Sequence, residues 1–598
     1  MTTVSDYIFK FVESHGVKDV FLFTGGGAMF LDDALYRNKK LNKVCLHHEQ
    51  AVAMAAVGYA KYTRNLGVGV VTTGCGVTNT LTGLLDAYQD NVACLFISGQ
   101  CKTSETVANS GLKLRQFGVQ EVDVVPLVKN LTKYAFMVTD PLTIAYHLEK
   151  AVYLAKSGRP APVWLDIPID VQSAEIDEKE LIHFYADLMP VSKEAPTKAE
   201  ISQVRGLLIS AKRPIIIAGQ GIALSGAVKE FEQFIKHENI PFVVSGLGLG
   251  VLPTNHPLFV GRIGNKGDRA GNFAMQNSDL VIAIGSRLSV SSLGQNYEAF
   301  AREAKVVVID IDPIEHQKKT IRIDLFINSD AKRFFEEYKK NGVYSGFWVG
   351  WAKTCRKWKA KWATFRPEYA KEKKINLYHF VNTLSGIMPK DAVVVSDAGS
   401  AFFVPHQALQ LKRGQRYIPT GGQLDMGFTL PASIGASIAK RGEVIGITGD
   451  GSFQLNIQEL QTIVHYKLPI KLFVWNNNGY LTIRNTQKRF FEGRFIGTDC
   501  SCGISFPSVR KIANAYGIIY HKLEAGEHMK EEMKAVISYP EAVICEVMCN
   551  PEQQIVPCVV SVRKEDGTMV SKPLEDMFPF LDRKEFLENM IVKPLEGS

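Results

Sequence analysis

Residues 449–480 read GDGSFQLNIQELQTIVHYKLPIKLFVWNNNGY, and this stretch determines the fold that we expect for the surrounding chain. Apolar runs at Val444–Thr448 and Ile470–Trp475 predict two buried strands, and the residues between them predict a helix that starts near Asn456. Strands that alternate with helices in this way form parallel sheets of the α/β class. The GDG turn therefore lies where a strand ends, at the sheet edge that carries the ligand sites of such folds.

The oxygen atoms of this stretch suit a hard divalent cation. Asp450 stands between two glycines, and Asn477 follows Gly451 after 25 intervening residues. Mg²⁺ binds in proteins through one or two carboxylate or amide oxygens together with substrate phosphates, and Asp450, the Asn477 amide and the Gly479 carbonyl would supply three ligands. Gly449 and Gly451 would let the backbone approach a diphosphate. The alternative interpretation is an ordinary turn between a strand and the next element.

The length of the chain requires several domains. At about 150 residues per domain, 598 residues predict three to four units. Strand and helix patterns alternate through three blocks, the segment Pro190–Pro196 is typical of a linker, and the periodicity is lost after Cys549. The predicted units are residues 1–185, 195–340 and 350–550, followed by a C-terminal tail at 551–598.

Composition narrows the class of protein. Apolar residues make up 46% and charged residues 22%, which is ordinary for a soluble globular protein. The net charge of +8 is spread thinly, so we expect no nucleic-acid partner. Ten scattered cysteines without CxxC pairs indicate reduced thiols, and neither a signal peptide nor a membrane-spanning run is visible. We therefore expect a cytoplasmic enzyme that acts on small molecules, without a membrane partner.

Three further motifs and a glycine turn accompany the GDG stretch. The sequence HHEQAVAMAAVGYAKYT begins at His47, and TTGCGVTNTLTGLLDAYQDNVACLFISGQ runs from Thr72 to Gln100. GGQLDMGFTLPASIGASIA begins at Gly421, and the turn FTGGGAM begins at Phe23, after the first predicted strand. With these motifs the chain resembles the thiamin diphosphate carboligases of the acetolactate synthase type over about 550 residues. The resemblance is strongest to synthase-like members found with polysaccharide and deoxysugar genes.

The resemblance implies a three-domain α/β fold. Two thiamin-binding domains with parallel sheets, one for the pyrimidine and one for the diphosphate, would flank a Rossmann-like central domain. In this family the two halves of the site meet across a subunit interface, so a homodimer or homotetramer is expected. The implied cofactors are thiamin diphosphate and Mg²⁺.

Glu49 is the expected catalytic carboxylate. Thiamin requires a carboxylate against N1′ of its aminopyrimidine, and an apolar setting favours the sharing of a proton between the two. The alanine-rich segment after Glu49 supplies such a setting, although a surface glutamate in the first turn of a helix is the alternative. The resemblance adds Gln100 and Gln120 as further catalytic residues.

The remaining motifs are expected to contact the cofactor. Met426 takes the family's wedge position under the bend of thiamin, with the Leu424 carbonyl beside it, whereas a methionine at helical spacing is otherwise ordinary core. Cys75 replaces the family's proline between two glycines and is interpreted as a packing residue rather than a nucleophile. The residues implied in binding thiamin diphosphate are Thr24, Gly25, Gly26, Asn79 at the start of a helix, Gly399, Ser400, Leu424, Met426, Gly449, Gly451 and Ser452.

The central block carries glycine turns of the kind that bind a dinucleotide. AGQG contains Gly219 and Gly221, IGSR ends at Arg287, and VIDID ends at Asp312. Glycine turns after strands, with an acidic residue that takes a ribose hydroxyl, suit FAD. Decarboxylases of the same superfamily keep this domain without a flavin, so a flavin-free domain is the alternative.

The resemblance implies decarboxylation of a 2-oxo acid, here pyruvate, and transfer of its two-carbon unit to an acceptor carbonyl. Three positions depart from acetolactate synthases, whose acceptor-site Arg, Trp and Phe correspond to Ser291, Thr486 and Val119. A buried carboxylate without its Arg would be costly, which favours a larger, less acidic acceptor such as a nucleotide-linked keto-sugar or another ketone.

Two other functions remain as alternatives. A second pyruvate as acceptor would make the protein an acetolactate synthase. A simple 2-oxo acid decarboxylase would share every cofactor motif, but decarboxylases carry paired histidines in the third block where His406 stands alone.

Overall fold

The computed structural model describes residues 2–188, 195–340, 348–563 and 569–595. Within these ranges the chain forms three six-stranded parallel sheets with helices around them, which confirms the predicted α/β class. Each sheet lies in one of the three predicted blocks. Most of the predicted linker Pro190–Pro196 lies outside the described residues.

The N-terminal domain is built on the first of these sheets. Its strands are β1 (Thr2–Thr3), β2 (Asp19–Leu22), β3 (Asn42–Cys45), β4 (Gly67–Val71), β5 (Cys94–Gln100), β6 (Ala135–Met137), β7 (Val163–Pro168) and β8 (Glu175–Ile176). Its helices are α1 (Val4–Ser14), α2 (Met29–Arg37), α3 (Glu49–Thr63), α4 (Cys75–Gln89), α5 (Val107–Ser110), α6 (Val124–Val128), α7 (Ile144–Lys156) and α8 (Ile169–Ser173). The sheet order is β3-β2-β4-β5-β7-β6, and β4, β5 and β7 are buried throughout, as in sheets covered on both faces.

The central domain has the strand order of a dinucleotide-binding fold. Its strands are β9 (Pro214–Ala218), β10 (Phe242–Val244), β11 (Phe259–Arg262), β12 (Leu280–Ile284), β13 (Lys305–Asp310) and β14 (Leu325–Asn328). Its helices are α9 (Lys198–Ser210), α10 (Gly221–Leu224), α11 (Val228–Glu238), α12 (Arg269–Gln276), α13 (Val290–Leu293) and α14 (Ala331–Lys340). The order β11-β10-β9-β12-β13-β14 is the doubly wound order, so the Rossmann-like prediction is confirmed.

The C-terminal domain contains the GDG stretch. Its strands are β15 (Val393–Ser396), β16 (Arg416–Pro419), β17 (Val444–Gly449), β18 (Ile470–Asn476), β19 (Ile519–Leu523) and β20 (Val543–Met548), in the order β16-β15-β17-β18-β20-β19. Its helices are α15 (Val349–Lys361), α16 (Leu377–Ile387), α17 (Ser400–Ala408), α18 (Thr429–Lys440), α19 (Glu459–His465), α20 (Leu481–Phe490), α21 (Val509–Tyr516) and α22 (Met529–Ser538).

The predicted helix start near Asn456 is wrong by three residues. A 3₁₀ turn spans Ser452–Asn456, and α19 begins only at Glu459. The Asn456 amide donates to the Gly427 carbonyl at 2.9 Å, which holds this segment against another loop. Side-chain bonds of this kind compete with helix formation, and they delay the helix here.

The C-terminal tail packs on the central domain. It contains β21 (Ser561–Arg563), β22 (Met569–Ser571) and α23 (Arg583–Asn589). The fully buried Glu575 accepts hydrogen bonds from Gln276 at 2.6 Å and from Arg302 at 2.7 Å. These charge-assisted bonds fix the tail to the domain that precedes the GDG block.

The two outer domains meet through α3 and α18. A Cβ atom added at Gly58 would lie 2.4 Å from the Ala432 carbonyl oxygen, and one at Gly435 would lie 2.0 Å from the Ala55 carbonyl oxygen. Glycine is therefore required at both crossing points, because the helices approach each other backbone to backbone. This contact sets the position of Glu49, at the start of α3, relative to the GDG block of the same chain.

Two expectations from composition can be compared with the structure. All ten cysteines lie in the described ranges and none forms a disulfide, in agreement with the predicted thiols. Across those same ranges, no helix has both the length and the apolar content that crossing a membrane requires.

Candidate active site

Glu49 is buried at the N-terminus of α3. It is 4% exposed, and one of its oxygens, Oε2, accepts a hydrogen bond from the Asn79 amide at 2.9 Å. Asn79 was expected to start a helix, but α4 begins at Cys75 and places Asn79 in its second turn. The Gly74 backbone, with φ of +67°, makes the sharp entry that allows this earlier start. The pair leaves one Glu49 oxygen free of side-chain partners in the described ranges.

Gln100 lies at the end of β5, where every polar atom of its side chain is engaged. Its carbonyl accepts from the Thr73 hydroxyl at 2.8 Å, and its amide donates to Asp166 at 3.0 Å and to the Val122 carbonyl at 2.9 Å. Burial raises the pKa of Asp166 to about 7. This arrangement lets Gln100 position Thr73 rather than reach a substrate itself. Gln120 differs, because it is exposed and has a left-handed backbone with φ of +59°.

The turn Thr24–Gly26 follows β2 and is shaped by steric limits. A Cβ at Gly25 would lie 2.5 Å from the Thr72 side chain, whereas one at Gly26 would meet open space. The Gly25 amide donates to Asp32, and burial raises the pKa of this carboxyl group to about 6. Gly25 is therefore needed for packing, and Gly26 leaves room for a ligand.

Asp397 organises the part of the candidate site that the C-terminal domain supplies, although sequence reasoning did not select it. Its Oδ2 accepts from Ser452 at 2.7 Å and from Thr448 at 2.9 Å, and Oδ1 is buried without a partner in the described ranges. Burial raises its pKa to about 6. Two residues on, Gly399 adopts φ of +63° and caps α17 at Ser400. The sequence SDAGS at residues 396–400, a glycine turn after a strand, was the signal from which Asp397 could have been selected.

The loop 421–427 connects this carboxylate to the predicted wedge. The Ser452 hydroxyl accepts from the Gly427 amide at 2.8 Å and donates to Asp397, so Ser452 links the loop to this carboxylate. Leu424 has a left-handed backbone with φ of +58°, a conformation that costs about 1 kcal/mol or more for a side chain of this size. Met426 is 37% exposed in the single chain, as a side chain available to a ligand or a second subunit would be.

Asp450, Asn477 and Gly479 converge after β17 and β18. Asp450 accepts from the Gly451 amide at 2.8 Å and from the Gly479 amide at 3.0 Å, and burial raises its pKa to about 6. The Asn477 amide oxygen is buried and unpartnered within the described ranges, which is unfavourable unless a ligand satisfies it. Gly479 has no room for a side chain, since a Cβ would lie 2.2 Å from the Thr498 carbonyl oxygen.

Two further contacts, which sequence reasoning missed, tie the outer domains together at the site. Glu459, fully buried in α19, accepts from the His47 amide at 3.0 Å, and burial raises its pKa to about 7. The Asn456 amide donates to the Gln50 side chain at 3.3 Å. The residues on either side of Glu49 are thus held by the segment that follows the GDG turn.

A buried ion-pair network fixes the loop 421–427 to the N-terminal domain. The Lys61 ammonium lies 2.7 Å from Asp90 and 3.3 Å from Asp86. Asp90 in turn accepts from the amides of Gly421 at 2.9 Å and Gly422 at 2.6 Å. Lys61 and Glu49 belong to the same helix, so α3 positions both the carboxylate and the loop that carries Met426.

A cleft of about 360 Å³ lies where the three domains meet. Gly221 and Arg287 line it, as do Gly421 and Gly422 from the loop of the C-terminal domain. Gly219 has a packing role instead, because a Cβ there would lie 2.0 Å from the Gly285 carbonyl oxygen.

Asp310, Glu315 and Asp330 are the acidic residues that line this cleft within the described ranges. Asp312, the residue predicted to take a ribose hydroxyl, accepts from Arg159 of the N-terminal domain at 3.1 Å. Asp310 ends β13 and lines the cleft directly. The VIDID segment thus contributes Asp310 to the lining of the cleft, while Asp312 contacts the N-terminal domain.

The three positions that depart from the family pattern lie on different elements. Val119 is strongly exposed after α5, Ser291 is in α13, and Thr486 is in α20, where its hydroxyl donates to the Thr482 carbonyl at 3.0 Å. The Ser291 carbonyl accepts from the Asn265 amide at 2.8 Å. The Ser291 turn is thus bonded to the turn that contains Asn265.

Comparison with known proteins agrees with this geometry. Residues 2–127, 201–338 and 397–547 match, in order, the N-terminal TPP binding domain, the central domain and the C-terminal TPP binding domain of thiamine pyrophosphate enzymes. The acetolactate synthase large subunit of Lactococcus lactis is 32% identical, over 93% of this chain and 94% of its own. The probable acetolactate synthase large subunit of Methanocaldococcus jannaschii is 31% identical, over 92% of each chain. Acetolactate synthase isozyme 2 large subunit of Escherichia coli is 30% identical, over 93% of this chain and 97% of its own.

The three matched domains make this chain a thiamine pyrophosphate enzyme, a class that binds its cofactor between two α/β domains of the kind seen here. Within that class it belongs to the acetolactate synthase-like family, since the similarity to the large subunits extends over nearly the whole length of both chains. Its chemistry is thiamin diphosphate-dependent formation of carbon–carbon bonds.

Proposed function

We propose that the protein decarboxylates pyruvate and adds the resulting two-carbon unit to the carbonyl of a larger ketone, such as a nucleotide-linked keto-sugar. The observation that carries this proposal is the contrast between an intact cofactor constellation and an altered acceptor region. Glu49 and Asp450 are both present and buried. Ser291, in contrast, occupies the position at which the acetolactate synthase pattern has an Arg.

The residues after β17 and β18 fit a Mg²⁺ ion that is shared with a diphosphate. Asp450 offers a carboxylate, Asn477 an unpartnered amide oxygen, and Gly479 a carbonyl. The described ranges contain no cluster of three or more His, Cys, Asp or Glu side chains suited to a metal. A magnesium ion here would therefore need phosphate oxygens to complete its octahedron, as is usual for this ion.

Glu49 is proposed to hold the proton that the pyrimidine requires. When bound, thiamin diphosphate supplies the carbon nucleophile and the electron sink for decarboxylation. Asn79 fixes one oxygen of the Glu49 carboxylate, so the second oxygen is left to exchange a proton with the pyrimidine nitrogen. Burial of Glu49 excludes water from that exchange.

We also propose that two subunits complete each site. The side chains of Met29, Met426 and Leu455 are exposed in the single chain, as apolar groups that a second subunit covers would be. A homodimer or homotetramer would cover them and bring the partner's diphosphate domain to Glu49.

The interdomain cleft is proposed to bind FAD. Arg287 is exposed on it without an ion pair in the described ranges, and Asp310 ends a strand there, as suits a phosphate and a ribose. The absorbance of the purified protein between 370 and 450 nm tests this, and a colourless holoenzyme that gains no colour with added FAD would reject it.

An acetolactate synthase is the second candidate, because the relatives reported above carry that name. The test is incubation of pure enzyme with pyruvate, thiamin diphosphate and Mg²⁺. Slow release of carbon dioxide that accelerates with an added ketone supports the proposal. Rapid acetolactate formation from pyruvate alone would replace it with the second candidate, and carbon dioxide release unaffected by any acceptor would indicate a simple decarboxylase.

A further inference from the structure

A half-buried lysine lies at the junction of the central domain, the C-terminal domain and the tail. Lys266 belongs to the turn 264–267 between β11 and α12, and its Nζ lies 3.4 Å from the centre of the Phe403 ring in α17. The turn is fixed from two sides. The Gln407 amide donates to the Gly267 carbonyl at 3.2 Å, and the tail residue Val559 donates to the Asn265 carbonyl at 2.8 Å.

The charge of Lys266 lacks a counter-ion. In the described ranges its ammonium makes neither an ion pair nor a hydrogen bond, and the Cys558 thiol acts on it electrostatically. Burial lowers the pKa of Lys266 to about 8, so the ammonium is retained at neutral pH at a cost in stability. A bound anion would offset that cost.

Lys266 faces the elements that carry the cofactor residues. Phe403 is in the first turn of α17, about 5 Å along the axis from Ser400. On α20, which follows the metal turn, Arg489 lies about 12 Å along the axis from Leu481 and donates to the Ser561 carbonyl at 2.9 Å. Burial raises the pKa of the Cys558 thiol, and the charges of Lys266 and Arg489 oppose that rise, so both cations lie near this tail residue.

The position of Lys266 also relates to the altered acceptor region. The Asn265 amide donates to the Ser291 carbonyl at 2.8 Å, and a Cβ at Gly264 would lie 2.3 Å from the same oxygen. Lys266 is thus the next residue along a turn that touches Ser291. Lys266 therefore supplies a cation beside this turn. This cation is an ammonium on a flexible stem, whereas the family pattern has the guanidinium of an Arg at position 291.

We propose that Lys266 is a specificity-determining residue that binds a phosphoryl group on the acceptor, with Arg489 as a second cation near the same tail residue. A compact ammonium suits a tetrahedral phosphate, whereas a planar carboxylate is matched best by the fork of a guanidinium. The acceptor class is then a carbonyl compound that carries a phosphate or diphosphate. This inference rests on the proposed carboligase function and deepens it, since a nucleotide-linked sugar carries such a group.

The test compares four holoenzymes saturated with thiamin diphosphate and Mg²⁺, so that the cofactor's own phosphate site is filled. They are wild type, Lys266→Met, Lys266→Arg and the control Lys359→Met. Lys359 is a matched control, because it also packs on a phenylalanine ring, at 4.7 Å from Phe259, but donates to the Thr254 and Phe259 carbonyls. Acceptor kinetics are measured with dihydroxyacetone phosphate and dihydroxyacetone, and binding with uridine diphosphate and uridine by calorimetry.

We expect wild type to prefer the phosphorylated ketone and to bind uridine diphosphate more tightly than uridine. Lys266→Met should raise the KM for the phosphorylated ketone and the Kd for uridine diphosphate by about tenfold or more, the loss typical of one charged hydrogen bond. Lys266→Arg should retain most of both, and Lys359→Met should match wild type. In the Lys266 variants, carbon dioxide release from pyruvate without acceptor should change less than use of the phosphorylated ketone, because the proposal assigns Lys266 to the acceptor; in Lys359→Met it should stay within about twofold of wild type.

An unchanged Kd for uridine diphosphate in Lys266→Met would overturn the inference, as would equal use of the two ketones by wild type. An equal loss in Lys359→Met would also overturn it, since the effect would then be one of packing. Failure of the proposed function looks different: no 2-oxo acid would release carbon dioxide, while the binding measurement would still decide the role of Lys266.

Discussion

The N-terminal and C-terminal sheets share one strand order, 2-1-3-4-6-5 when each is numbered from its own first strand, yet they present different chemistry at the same places. After the third strand, the N-terminal sheet has Gly-Cys-Gly at residues 74–76 and the C-terminal sheet has Gly-Asp-Gly at 449–451. The fourth strand of the N-terminal sheet ends in Gln100, and the fourth strand of the C-terminal sheet leads to Asn477.

The difference shows that the topology provides positions and the side chains decide their use. Gln100 has all its polar atoms bonded within the protein, and the acidic catalytic candidate of the N-terminal domain, Glu49, lies at the start of a helix. Buried side-chain oxygens without partners in the described ranges include Asp32 and Gln172 in helices of the N-terminal domain, whereas Asp397 and Asn477 carry theirs directly after strands of the C-terminal sheet. Unpartnered buried oxygens are costly, so this second sheet is built to receive a cation or hydrogen-bond donors from a ligand.

The largest effect is expected for Glu49, the catalytic acid proposed in the N-terminal domain. Glu49→Gln keeps the Asn79 hydrogen bond but removes the proton exchange, so kcat should fall by about 100- to 10,000-fold. Stopped-flow measurement of carbon dioxide release from pyruvate checks this, with cofactor affinity from fluorescence quenching as the control. A kcat within tenfold of wild type, at unchanged cofactor affinity, would contradict the assigned role.

The substitution in the C-terminal domain that corresponds to Glu49→Gln is Asp450→Asn. The change removes the carboxylate charge but keeps the shape of the turn, so the apparent Mg²⁺ affinity should fall by about 10- to 100-fold. Titration of chelator-treated enzyme with Mg²⁺ at fixed thiamin diphosphate measures it. Glu49→Gln is the matched control, since it should bind Mg²⁺ as wild type does, and equal Mg²⁺ affinity in all three proteins would reject Asp450 as a ligand.

The same contrast explains how much the sequence could predict. Periodicity and the glycine motifs predicted the three sheets, because buried parallel strands are continuous apolar runs. Residues inside quoted motifs, such as Glu49 and Asp450, could be selected by their chemistry. Asp397 and Lys61 could not, because their importance arises only when separate loops fold onto them.

Element boundaries failed where side chains bond locally. The helix after the GDG turn starts late because Asn456 bonds to Gly427, and Asn79 lies one turn inside its helix because Gly74 turns early. The VIDID pattern contains two acids, and only the folded strand shows that Asp310 lines the cleft while Asp312 accepts from Arg159. In each case the deciding contact joins residues that the pattern does not relate.

A smaller effect concerns the acid buried inside the N-terminal sheet. Burial raises the pKa of Asp166 to about 7, from an ordinary value of 3.8, so the folded state favours its protonated form. This contribution to stability is present below pH 4 and is lost as the pH rises through about 7. Asp166→Asn should therefore gain about 2 kcal/mol relative to wild type between pH 5 and pH 7.

Urea unfolding at pH 5, 6 and 7 measures this difference, with Trp164 as a local reporter because its indole donates to Ser98 beside Asp166. Glu178→Gln, an exposed change in the same domain, is the control. The same pH dependence in Asp166→Asn and wild type would show that Asp166 is ionised in the folded protein.

The smallest effect is expected at Cys75, which occupies in the N-terminal sheet the place that Asp450 occupies in the C-terminal one. Its thiol is exposed at the first residue of α4, and the reaction's nucleophile comes from the cofactor. Cys75→Ser should therefore change kcat/KM by less than about twofold, as surface substitutions usually do. Steady-state kinetics with pyruvate and an acceptor check this beside Asp450→Asn. If Cys75→Ser lost activity as Asp450→Asn does, the two Gly-x-Gly turns would share a chemical role. The proposed difference between the two sheets would then be wrong.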